Sequence, residues 1–428
     1  MRYTRKRTGC LLLFLIFLMS CNMIVTRTAA PEENSTPADG KRENFSFYYG
    51  GKHLLDEGLD AIYFISNHFL YRAAKPLVPG QAELLSLDAR SLEAILSNSS
   101  EVEKHDAYFG RAVGVFCTRD HLHVLHENPE NTGIEQSHLL TALSTDGGQR
   151  RVIAELNGLT GHCWRQDDRL YLTRYAHDSE NQRSVELISL KLSSGDVQVH
   201  AEIQLMAFVD LAGDPSVQDL FVDQNHAYVS LHTLPDMEGM QRLYLLVDLG
   251  SGSVRDVVKS VERSTGQQIL SIKPYQDGIL LQTADDVTDV HSAAYCHTAD
   301  WRATNRTLVR TGRMGELVLS DGHNRWLRPS EAVIWCHTHD EYMSPEVHEA
   351  LLQINPYPEL LNSAFESTGR ALPGPSGGWP DFHIQFAFTA DYGLALCHST
   401  GDVFFAALPA DDQQTSMFEP LLQTVRED

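Results

Sequence analysis

Three histidines stand at comparable points of this chain: His232 in YVSLHTLPD, His337 in VIWCHTHD and His398 in LALCHSTGD. Each closes an apolar, β-branched run. Neutral imidazole is a good transition-metal ligand and an acid or base suited to neutral pH. If the runs are equivalent strands of a repeat, the three rings would meet near one mouth of it and could share a ligand. Ser66, Thr118, Tyr175 and Thr283 fill the corresponding place in other runs, so the column is not uniform. Separate hydrogen-bonded roles on sheet faces are the preferred reading. A second group is Asp120-His121-Leu122-His123, with His126 beyond. The i, i+2 spacing puts His121 and His123 on one face of a strand. A third ligand would make a zinc site. No carboxylate partner is identifiable, and a polar outer strand is the simpler expectation.

Cys336-His337 and Cys296-His297 place a thiol beside an imidazole. Neighbours on a strand point to opposite faces, so neither pair is a nucleophilic dyad by itself. Beyond Cys21 there remain Cys117, Cys163, Cys296, Cys336 and Cys397, an odd set without a CxxC pair. That argues for buried thiols acting as small hydrophobes. Asp285-Asp286 and Asp411-Asp412 lack the spacing and glycine of a calcium loop. There is no G-x-S-x-G, no H-E-x-x-H, no phosphate loop and no dinucleotide fingerprint. No metal or other cofactor is expected. Trp379, in the loop LPGPSGGWP, is the aromatic best placed to stack on a sugar or peptide. Its competing role is to cover the core of an adjoining insertion.

The elements that must position these residues form a repeat. From about Phe45, apolar runs of four to seven residues alternate with Gly, Asp, Asn and Ser clusters. Aligned on Cys336, the runs place Ile65, Cys117, Arg174, Leu231, Gln282 and Cys397 in one column, 51–61 residues apart. Turn residues such as Asp60, Asp167-Asp168 and Asp391 lead into them, as in tight hairpins. An apolar run, a turn and a second apolar run then follow at 84–96, 140–153, 188–200, 246–258 and 403–421. Each reads as the outer half of a four-stranded unit. Such a unit cannot cover its own apolar face, and stacking units around an axis does. The expected fold is all-β: a β-propeller of six or seven four-stranded blades with a small helical insertion. The sixth blade is the uncertain one, since its outer hairpin is missing or displaced. In its place, about 343–380, Ser344-Pro345-Glu346 opens a helix with Val347, Leu351 and Ile354 on one face. Pro356 and Pro358 break it, and Glu359–Phe365 has room for a further helical turn or two.

Ahead of the propeller, 1–21 reads as a targeting segment and 22–44 as a tether; the propeller domain is 45–428. MRYTRKR is a basic start, and Leu11–Met19 is an apolar run too short to span a bilayer with margin. Leu18-Met19-Ser20-Cys21 resembles a bacterial lipobox, which implies a lipid thioether on Cys21 and anchoring to the cell membrane. The tether, rich in Pro, Ser, Thr and charge, holds almost no large apolar residues. Without residues 1–20, which carry Arg2, Arg5, Lys6 and Arg7 and no acid, the formal charge moves from −23 to −27. A surface of that sign repels phosphate backbones, so no nucleic-acid partner is expected.

Across about residues 50–425 the strand spacing resembles that of bacterial β-propeller lipoproteins of the YVTN or quinoprotein-like kind. The departures are informative. There is no Trp-Asp dipeptide, Gly147-Gly148 and Gly377-Gly378 are isolated, and five Trp are too few for one per blade end of a quinone dehydrogenase. The resemblance implies an extracytoplasmic binding module with a protein or glycan partner. The alternatives are an envelope hydrolase or lyase, glycan-acting or metal-dependent, with its site at one channel mouth, and a structural envelope component docking through the insertion.

Overall fold

The computed structural model describes residues 54–423, less 86–107, 119–120, 130–136, 145–149, 177–183, 208–214, 223–224, 234–241, 257–267, 276–277, 285–290, 298–302, 311–314, 321–323, 330–333, 335–336, 338–348, 350–351, 354, 362–366, 381–382, 390 and 409–415. Residues 1–53, including Cys21 and the tether, lie outside the described residues.

Seven four-stranded antiparallel sheets account for the described strands, and each takes four consecutive strands in simple meander order. Blade 1 is β1 (Leu55–Glu57), β2 (Ala61–Ser66), β3 (Phe69–Ala74) and β4 (Ala82–Leu84). Blade 2 is β5 (Ala112–Cys117), β6 (His121–Glu127), β7 (Ser137–Ser144) and β8 (Arg151–Asn157). Blade 3 is β9 (Leu159–Gln166), β10 (Arg169–Tyr175), β11 (Ser184–Lys191) and β12 (Val197–Gln204). Blade 4 is β13 (Pro215–Val222), β14 (His226–Thr233), β15 (Arg242–Asp248) and β16 (Val254–Asp256). Blade 5 is β17 (Gln268–Tyr275), β18 (Gly278–Ala284), β19 (His291–His297) and β20 (Ala303–Arg310). Blade 6 is β21 (Gly315–Ser320), β22 (Asn324–Pro329), β23 (Glu359–Leu361) and β24 (Ser367–Ala371). Blade 7 is β25 (Ile384–Phe388), β26 (Tyr392–Cys397), β27 (Val403–Ala407) and β28 (Glu419–Leu422).

First strands meet first strands. β1 and β2 pack on β5, β5 on β9, β9 and β10 on β13, β13 on β17, and β21 on β25. The first strand of a blade is therefore the inner one, and the sheets are arranged as propeller blades. The second strands of blades 1 and 7 are almost wholly buried: every residue of Ala61–Ser66, and every residue of Tyr392–Cys397 except Tyr392. The outer strands alternate or are largely exposed, as in Arg151–Asn157 and Val197–Gln204. The ring closes where blade 7 meets blade 1. Leu394, Leu396, Val403, Phe405 and Leu421 share one buried cluster with Ile62, Phe64 and Leu70. Each such side chain contributes about 1.5–3 kcal/mol by leaving water.

Three expectations are corrected. Cys117 ends β5, the first strand of its blade; the second strand is His121–Glu127. Two apolar strands stand side by side there, and apolarity alone does not say which comes first. The strand expected at AVIWCHTHD is not found at its described residues: Ile334 and His337 are helical, and the blade's second strand is Asn324–Pro329. A short apolar run fits a buried helical turn as well as a strand. Glu359–Leu361 is the third strand of blade 6, paired with Arg325–Leu327, and not a helical turn. Pro356 and Pro358 bias the preceding residues to extended backbone, which suits entry into a strand. The outer hairpin of blade 6 is thus displaced behind the 330–358 connection, with Glu349 and Leu352 helical within it. The outer hairpins expected at 140–153, 188–200, 246–258 and 403–421 are β7–β8, β11–β12, β15–β16 and β27–β28. The segment 84–96 lies largely outside the described residues, and blade 1 makes its outer pair from β3 and β4.

Candidate functional site

The meander order gives the ring two chemically distinct ends. At the near face lie the turns from second to third strands and the crossings between blades. At the far face lie the turns from first to second and from third to fourth strands.

The three sequence-selected histidines all fall at the near face. His232 lies near the end of β14, in register between Ser216 and Arg242. His337 is exposed in the connection between β22 and β23. His398 follows β26; it is half-buried, and its backbone N–H donates to the His383 carbonyl at 2.9 Å. Among the described residues, no group of three or more His, Cys, Asp or Glu side chains is arranged to hold a metal. His398 borders a notch of about 30 Å³ where blades 7, 1 and 2 meet, with Ser66, Asn67, His68, Arg111 and Gly401. A void that size admits about one water. Asn67 and His68 form the two-residue turn between β2 and β3, with φ of 48° and 71°. Both positions need the left-handed region in this kind of hairpin turn, which Asn tolerates better than His. A 2.8 Å hydrogen bond between His68 Nδ1 and the Gly110 carbonyl holds the turn. The Ser66 hydroxyl donates to the Gly401 carbonyl at 2.5 Å and so joins blade 1 to blade 7.

Trp379 is placed otherwise than a ligand platform would be. It is 6% exposed and packs edge-on or tilted against Phe386, Phe404 and Phe418, with ring centroids 5.5, 5.9 and 5.2 Å away. Gly374 lets the backbone approach it: a Cβ there would stand 3.3 Å from the indole and 2.7 Å from the Tyr357 ring. The loop 372–380 therefore seals the core of blade 7.

At the far face lies a polar centre that no local sequence signal marks. Asp56 on β1 accepts from the Cys117 backbone N–H at 2.6 Å and from Arg165 Nη1 at 3.0 Å. One carboxylate so joins the inner strands of blades 1, 2 and 3. The partners are 61 and 109 residues away, and no local motif marks them. Lys75, paired with Glu57 and donating to the Gly58 carbonyl at 3.0 Å, stands beside it. Burial and the Asp56 charge push the Cys117 thiol up, which leaves it an inert thiol. His121 and His123 do share a face of β6, with ring centroids 6.3 Å apart; His121 is exposed and His123 buried. β6 is a second strand, not an outer one. Burial, with the nearby His121 and Arg165, lowers His123 to about 4. Burial also lowers His126 and His383 to about 4. All three are neutral at pH 7. Cys117, Cys163 and Cys397 are buried and take part in no disulfide.

No known family profile matches this chain, and no curated protein does. Solved structures give similarities of fold. Oligogalacturonate lyase in complex with manganese is similar over 88% of this chain and 90% of its own, at 10% identity and a TM-score of 0.47. PorZ, a surface component of the type-IX secretion system of Porphyromonas gingivalis, is similar over 87% of this chain at 11% identity and 0.41. The chain spans 38% of PorZ. The β-propeller domain of the Trilobed protease from Pyrococcus furiosus is similar over 73% of this chain and 84% of its own, at 10% identity and 0.40. The assignment to the β-propeller class rests on the seven meander sheets and the first-strand contacts described above.

Proposed function

We propose that this chain is a membrane-anchored, extracytoplasmic β-propeller that works as a binding module, engaging a protein or glycan partner with its near face. The observation that supports the reading is the use the ring makes of its buried and part-buried polar groups. Asp56 joins three blades, Ser66 joins blade 1 to blade 7, and His126 is bonded between Glu127 and Thr141 within blade 2. Such groups hold a rigid frame, and recognition falls to the turns that the frame presents. The near face carries the 330–358 connection and the exposed His337. Anchoring rests on Leu18-Met19-Ser20-Cys21 behind its apolar run.

Two measurements test this. Cells fed labelled palmitate are expected to label the wild-type chain and not Cys21→Ala. A photo-crosslinking residue at His337 is expected to give a discrete adduct on intact cells, and one at the exposed Asp391, in the far-face turn between β25 and β26, none. Label on Cys21→Ala would remove the anchor. Adducts from Asp391 alone would turn the module over.

A further inference from the structure

A recess of about 320 Å³ opens at the far end of blade 3, lined by Gln166, Asp167, Asp168, Arg169, Tyr171 and Lys191. Four of these side chains share one side of the sheet because of register. Arg169 stands opposite Gln166 and Lys191, and Tyr171, two residues on, stands opposite Ser189. Two like charges directly opposite across an antiparallel pair repel. Such a pair is usually relieved by a carboxylate. Here, among the described residues, Arg169 donates to a neutral group instead, the Ser189 hydroxyl, at 3.1 Å. Ser189 is fully buried and also bonds His200 Nε2 at 2.8 Å. The His200 ring lies 5.6 Å from that of Tyr171. The Asp168 carboxylate is turned to the Ser193 hydroxyl at 2.7 Å. The fully buried Ser189, backed by the half-buried His200, thus fixes the guanidinium, and among the described residues no carboxylate is in ion-pair contact with it.

We propose that Arg169 and Lys191 form a site for a single carboxylate group, distinct from the near-face surface and independent of that reading. The planar fork of Arg suits a carboxylate, and Lys191 adds a point charge from the facing strand. Asp167 and Asp168 at the rim bring two negative charges, which favours a monoanion over a phosphate dianion. Gln166 offers an amide to a neutral polar group beside the carboxylate. Two sources share this chemistry: a uronic-acid sugar and a peptide C-terminus.

The test is calorimetric titration of the full-length chain in detergent with glucuronate, acetyl-alanine, their amides and inorganic phosphate. Either carboxylate is expected to bind, at least roughly 10-fold more tightly than its amide. Arg169→Gln and Lys191→Gln are each expected to weaken binding by roughly 10-fold while melting like the wild type. Ser189→Ala is expected to weaken it less, through loss of orientation. Binding of glucuronate alone assigns the source to sugars, of acetyl-alanine alone to peptide ends, and of both to the carboxylate itself. The proposal is overturned if neither binds, if the amides bind equally, if phosphate binds more tightly than both carboxylates, or if Arg169→Gln changes nothing.

Discussion

Acid should loosen this ring through particular histidines, and His126 is the sharpest case. It is 1% exposed. Its Nδ1 lies 2.8 Å from the Glu127 carbonyl, so Nδ1 carries the hydrogen. Nε2, 2.9 Å from Thr141 Oγ1, then accepts from that hydroxyl. A second proton would face the Thr141 oxygen in a buried site, close to the Arg150 charge. Burial first, and Arg150 in part, therefore hold His126 at about 4. The unfolded chain titrates near 6.5. The unfolded state binds the extra proton first as pH falls. The stability is fully present above about 6.5 and is lost progressively down to about 4. At pH 5 the loss from this one residue is about 2 kcal/mol, with a local slope of about 1.2 kcal/mol per pH unit. His123, also held at about 4, adds a similar amount. The assay is the urea-unfolding free energy at pH 8, 6.5, 5.5 and 5 for the wild type and His126→Gln. The variant starts lower at pH 8 but should lose about 2 kcal/mol less on going to pH 5. Equal losses in the two proteins would refute the assignment, because every other titrating group is common to both.

Other perturbations test the frame. Asp56→Ala strips the acceptor from the Cys117 N–H and from Arg165, both part-buried, and is expected to cost about 3 kcal/mol. Pairing it with Arg165→Ala should recover about 1 kcal/mol in a double-mutant cycle of melting curves, and strict additivity would speak against the link. Trp379→Ala empties a site walled by three phenylalanines and should cost about 3–5 kcal/mol with no change in partner adducts; lost adducts without lost stability would make Trp379 a contact residue after all. Gly401→Ala places a methyl 2.4 Å from the Asn67 amide nitrogen at a φ of 74°, and should lower the unfolding midpoint and open the blade 7–blade 1 boundary to protease; an unchanged midpoint would show that the boundary is slack.

What the sequence made legible was local. LKLSSGDVQVH announces β11, a turn and β12, because alternation and turn residues act over a few positions. The displaced hairpin of blade 6 was half-visible: the helix start and the two prolines were there to read, but ELL is too short to show a period. NRWLRP, the second strand of that blade, carries two arginines and a proline and reads as polar. AVIWCHTHD beside it looked like the better strand, so the column of seven took the wrong member there. His232 and His398 lie at the ends of second strands, whereas His337 lies in the connection after β22 and not at the end of a strand, as the spacing had it. The Asp56–Arg165 pair could not be read, since nothing within a 109-residue separation marks the two as neighbours. Arg169 and Lys191 become opposed only once the register of β10 and β11 is known.

The closing boundary explains why the frame and its faces can be separated in this way. Among the described residues, no sheet combines strands of blade 1 and blade 7, so no described β-ladder joins them. It is held by the shared apolar cluster and by a few bonds across the gap: Ser66 to Gly401, the Gly80 N–H to the Pro420 carbonyl at 3.0 Å, and the Leu77 N–H to the Tyr392 hydroxyl at 3.3 Å. Five apolar side chains from blade 7 enter that cluster, an upper bound of about 7–15 kcal/mol. That is the scale of a whole domain's net stability. Truncating any one of these side chains is therefore expected to weaken the closure by about 1.5–3 kcal/mol. Ser66 and Gly401 line the near-face notch but are already committed to each other, and groups free to recognise a partner must come from turns that close nothing.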